Sequence, residues 1–189
     1  MIEIERFDPF NNRLCRNVRN ALSENFKKVL EQKDMQPVRR IAGFFLDDPL
    51  PASVKTYIGQ RLAAYEQVLA DVRNRELEDP LDIAVAIWDR RLFFETHEYL
   101  EPHWMTADGD DKKLLQAIIR AAGAYVHLEQ GNINGAKRIA AKAVAVLEVN
   151  QDRLSPFADP RLLLEKLRSL DPRPPTLAGT AGPGNRPMP

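Results

Sequence analysis

The residues best suited to chemistry fall in one short run, Phe94-Glu-Thr-His97-Glu98-Tyr-Leu-Glu101-Pro-His-Trp104. A histidine four positions before a glutamate shares a helical face with it. The imidazole can serve as general base or metal ligand, and the glutamate can orient it or share the ion. His97 and Glu101 are therefore the candidate catalytic residues, and the candidate ligands if a divalent metal is held, an option the pattern allows without favouring. At about 100° per residue, Arg90, Phe94, His97, Glu101 and Trp104 form one column. Glu98 is turned about 100° away from His97 on the same projection. A second column, Gln116, Arg120, Gly123 and His127, follows in the next helical segment. In the functional reading, Arg90, Gln116 and Arg120 fix a small polar or anionic molecule, and Phe94 and Trp104 wall it. Glu98 and His127 complete the candidate ligand-binding set. Such a constellation suits hydrolysis or proton transfer. The competing reading is structural: polar groups in a buried stripe must be paired, and His97, Glu101 and an arginine can satisfy one another without chemistry.

Other site patterns fit less well. A zinc protease needs a second histidine four residues after the first, and position 101 is Glu. A di-iron bundle needs paired Glu-x-x-His motifs on two helices. Asp108, Asp110 and Asp111 lack the length and terminal glutamate of a calcium loop, and are read as capping the following helix. Residues 122–148 look like one tetratricopeptide helix pair, but no second copy of the unit is evident. Arg13, Arg16 and Arg19 are interrupted by Glu24 and Glu31 and read as a solvated face, and Cys15 as a buried small residue.

These side chains require helices to hold them. Leu14, Val18, Leu22, Phe26 and Val29 recur at helical spacing and predict a helix from about 9 to 31. A second covers 38–46, and a third runs from about 54 to 76. The fourth has the clearest start: Asp79 as N-cap, Pro80 at the first position and Asp82 in the first turn. It is expected to run to Trp104, apolar on two faces and so central, with Pro102 able to kink or shorten it. A fifth helix, 111–130, ends at Gly131 and forms an antiparallel hairpin with the fourth. Asn132 caps a sixth, 133–150, and Asp159-Pro160 opens a seventh, 161–170. In that hairpin Trp104 lies level with Asp111, and His127 sits about 14 Å beyond the level of His97, too far to share a metal with it. No strand pattern appears. The expected architecture is all-α: a bundle of about seven helices, residues 1–79 a helical layer on a core at 80–170. Residues 171–189 hold six of the 14 prolines and are read as a disordered tail.

The second half carries a family resemblance. His97-Glu98-x-x-Glu101-x-x-Trp104, with Gln116-Ala-Ile-Ile-Arg120 and His127-Leu-Glu-Gln-Gly131-Asn132-Ile-Asn-Gly135-Ala136, resembles the domain of unknown function 309 family over about residues 80–150. The resemblance implies a helical fold here and picks out His97, Glu98, Glu101, Trp104, His127 and the Gly131-Asn132 turn. It implies no reaction. Arg120 departs from the glutamine the family more often carries.

Composition narrows the partners. Of 189 residues, 27 are Lys or Arg and 27 Asp or Glu, a formal charge of zero, whereas nucleic-acid binding wants a cationic surplus. The single cysteine excludes a disulfide framework. No apolar stretch approaches the roughly 18 residues of a membrane span, and the N-terminal residues lack a secretory pattern. The expectation is a soluble cytoplasmic protein with no nucleic-acid or membrane partner, its partner a small molecule or a protein, and homo-oligomers allowed. Two function classes stay open. One is a pocket protein, with enzymatic activity undecided; the other is an interaction module built on the helix pair 111–150, its His/Glu network purely structural.

Overall fold

The computed structural model describes residues 6–179. Among them are nine α-helices and no strand, in the order α1 Arg13–Gln32, α2 Gln36–Leu46, α3 Ala52–Asn74, α4 Pro80–Asp89, α5 Phe93–Thr106, α6 Gly109–Glu129, α7 Ile133–Leu147, α8 Gln151–Leu154 and α9 Pro160–Ser169. None of the described helices is long and apolar enough to cross a membrane. The chain divides into two compact units, 1–76 and 77–189.

In the first unit α1 packs against α2 and α3. Val18, Leu22, Phe26 and Val29 are buried along α1, as their spacing predicts. Phe26 stacks on Tyr65 of α3 with ring centroids 4.1 Å apart.

The second unit holds the residues singled out above. α6 is its axis, packed against α5 on one side and α7 on the other, while α9 lies against α7. The caps follow the sequence. The Asp79 side chain accepts from Leu81 N, Asn132 from Gly135 N and Asp159 from Arg161 N. Gly131 ends α6 in the left-handed region at φ 71°. Asp108 occupies the N-cap of α6 but makes no side-chain capping bond, contrary to the expectation for it.

The fourth helix differs from its expected course. It stops at Asp89 and restarts at Phe93, so residues 80–104 are two helices and Arg90 leaves the column of His97. The stop is a Schellman closure: Arg91 N donates to Trp88 O and Leu92 N to Ile87 O, with Arg91 left-handed at φ 57°. An arginine holds the place usually given to glycine, which hides the break from a sequence pattern. The break lets Trp88 of α4, Phe93 of α5 and Tyr125 of α6 meet, with centroids 5.0–5.2 Å apart. Such pairs add about 0.5–1.5 kcal/mol each beyond area burial.

The C-terminal segment also differs in part. Residues 171–179 are packed chain: Trp88 Nε1 donates to Pro175 O, and the Asp89 carboxylate accepts from Leu177 N and Ala178 N. Leu177 is 2% exposed. Proline excludes helix here but suits an extended strap, in which the Asp89 carboxylate meets two of the remaining N–H groups. Residues 180–189, the remainder of the expected disordered tail, lie outside the described residues.

Candidate functional site

α5 presents two faces. Phe93, Thr96 and Leu100 are buried at the inner one, with Thr96 Oγ1 donating to Leu92 O at 3.0 Å. His97, Glu98 and Glu101 lie at the edge, each partly buried. One donor atom from each falls within 4.8 Å of the others. His97 Nδ1 is 3.4 Å from Glu98 Oε1, with the side chains 33% and 28% exposed. That nitrogen is itself shielded from solvent and makes no hydrogen bond among the described residues. The structure therefore brings Glu98 into the group formed by His97 and Glu101, although a helical projection turns it aside. Long side chains on adjacent positions converge where one helix edge is partly covered. Pro102 lies within the same helix and cannot donate to the Glu98 carbonyl, the bond a helix otherwise makes at this level.

The remaining candidates are distributed around this group. Phe94 is half-buried in the first turn of α5. Trp104 is half-buried near its end, with the Lys112 ammonium 5.7 Å from the ring centroid, close to the level the hairpin predicts. Arg90 is exposed at the C-cap of α4. Gln116 and Arg120 are half-buried on α6, and neither makes a hydrogen bond or ion pair with His97 or Glu101 among the described residues. The neighbour of the His97 ring on this helix is the Glu98 carboxylate rather than that of Glu101. His127 stands in the last turn of α6, apart from the group. Its imidazole lies against the backbone of Gly135, where an added Cβ would come within 2.5 Å of Nδ1. Burial, and then the Arg138 charge, lower the His127 pKa below the usual histidine value.

Two groups of interest were not reached by motif reasoning. Glu95 is 1% exposed, the most buried carboxylate among the described residues. It occupies the first turn of α5, where the helix dipole favours an anion. A continuous helix through 80–104 has no such terminus, which is why the pattern did not mark it. His103 lies on a different side of α5 from His97, its ring 5.2 Å from that of Tyr99. It lines a cavity of about 400 Å³ with Asp79, Leu81, Leu114, Leu115, Arg153 and others. The His97 group lines neither this cavity nor one of about 450 Å³ beside α7 and α9.

Chemically, one imidazole and two carboxylates on one helix form a mixed nitrogen and oxygen donor set that leaves much of a cation's coordination sphere open. Without a cation, the imidazole beside Glu98 is a base with an orienting acceptor. Residues 81–139 match the model of a family described as a domain of unknown function (DUF309), a span that includes all of α5 and α6. No curated protein and no solved structure matches the chain.

Proposed function

We propose, for a chain whose residues 81–139 fall within a family of unassigned function, that α5 carries a divalent-cation site made by His97, Glu98 and Glu101. Its open positions would take water and a small polar or anionic ligand. The observation that carries this reading is the convergence of the three donor atoms within 4.8 Å on partly exposed side chains. The solvent-shielded Nδ1 of His97 supports it, because a ring nitrogen and a carboxylate oxygen held 3.4 Å apart without a hydrogen bond are donors that a cation would draw together. A cation here would lower the pKa of a bound water and favour hydrolysis. Trp104 and Phe94, on the same helix, would supply the apolar wall.

Equilibrium dialysis of the whole chain against Zn²⁺ and Mn²⁺, with metal quantified by mass spectrometry, tests the reading. One equivalent should be retained, and His97→Ala and Glu101→Gln should each release it while helical circular dichroism is unchanged. Retention of the ion by both variants, or none retained by the unaltered chain, would refute it.

A second reading is favoured by a separate observation. Ile133 opens α7 and Val149 lies in the turn just after it, 53% and 80% exposed, on the segment that resembles a tetratricopeptide helix pair. In that reading the pair is a surface for a protein partner. Binding of such a partner would survive His97→Ala and be lost on changing Ile133 and Val149 to serine.

A further inference from the structure

We propose that the cavity between the start of α4, the end of α5, the first turns of α6 and the segment after α8 binds a small molecule with one apolar ring and an ammonium group. The cavity encloses about 400 Å³, within the roughly 300–1,000 Å³ of small-molecule sites. Leu114 and Leu115 are 3% and 9% exposed and form its inner wall, with Leu81 and Phe157 at the sides. Such a surface takes up an apolar ring from water.

The charges at the mouth select the other end of the ligand. Arg153 is engaged by Asp111 in an ion pair. Asp79 has no ion pair among the described residues; its Oδ1 accepts from Leu81 N at 2.7 Å, and the carboxylate is exposed to solvent. Its negative charge reaches inward: Tyr99 is pushed up to about 12, chiefly by burial and then by Asp79. The half-buried ring of His103 completes the wall beside Tyr99. One uncompensated carboxylate over an apolar floor attracts an ammonium, repels a carboxylate ligand and gives a neutral ring apolar contact alone. The site shares no residue with the His97 group, so either proposal can fail without the other.

Calorimetric titration of the whole chain with 2-phenylethylamine, 2-phenylethanol and 3-phenylpropionate at neutral pH tests it. The amine should bind about fivefold tighter than the alcohol, and the carboxylate most weakly. Asp79→Asn keeps an oxygen acceptor for the α4 cap and removes the charge, so the amine should lose about that factor and the alcohol nothing. Arg153→Ala frees Asp111 and should tighten the amine. His97→Ala should leave all three titrations unchanged. No saturable binding, the alcohol equalling the amine, or an amine affinity indifferent to both charge changes would overturn the proposal.

Discussion

His127 shows how a single side chain can tie a turn to pH. Its ring fills the space that a side chain at position 135 would need, and Asn132, whose backbone N–H donates to the His127 carbonyl at 2.9 Å, caps α7 beside it. Because burial and Arg138 hold its pKa below 6.5, the unfolded chain binds the proton first as pH falls. Stability contributed here is therefore present above about pH 6.5 and is lost as acid is added. Thermal melts from about pH 7.5 to about pH 5.5 should show a falling Tm, and His127→Gln should flatten that part of the slope. Parallel slopes in the two proteins would refute the assignment. Tyr125 has a different cost. Its hydroxyl is buried with no hydrogen-bond partner among the described residues, and burial raises its pKa, so the ring is held for its contacts with Trp88 and Phe93.

At the scale of the element, the turn between α4 and α5 governs the second unit. Arg91 pays for a left-handed backbone that costs a side-chain-bearing residue about 1–2 kcal/mol. Its ion pair with Glu129 is 3.8 Å long and largely exposed, and offsets little. Arg91→Gly should raise stability by about 0.5–1 kcal/mol in urea unfolding. A loss of stability would mean that the arginine side chain matters more than the backbone. The same position explains what could be read from the sequence. Helix starts were legible because Asp79-Pro80, Asn132 and Asp159-Pro160 announce them chemically. The end of α6 was legible because Gly131 marks it. The end of α4 was not, since Arg91 adopts positive φ where glycine is the usual signal, whereas the ends of α1 and α9 fell within a residue of where the apolar spacing stops. The His97–Glu101 pairing follows from helical spacing alone. Glu98 joining it depends on side-chain reach, and Asp79 lining one cavity with Leu114 and Arg153 depends on tertiary packing, neither of which periodicity encodes.

For the second unit as a whole, closure comes from the strap at 171–179. Asp89 receives two backbone N–H groups and Trp88 donates to Pro175, so the strap covers the aromatic cluster without helix or strand of its own. Removing the carboxylate strands two donors and loosens Leu177 from its buried seat. Asp89→Ala should cost about 2–3 kcal/mol, by charge-assisted hydrogen-bond loss, and should open the strap to protease cleavage between 171 and 179. Unchanged cleavage would show that Leu177 and Trp88 hold it unaided. The sharing of work between the two tryptophans has a practical side. Trp88 is 1% exposed beneath the strap, while Trp104 is only half-buried one turn beyond Glu101. The protein therefore contains two natural lamps in different surroundings, one reporting the strap from a dry interior and one beside the His97 group within reach of dissolved quenchers. Events at the two ends of this unit can be watched separately by their light, with no label attached.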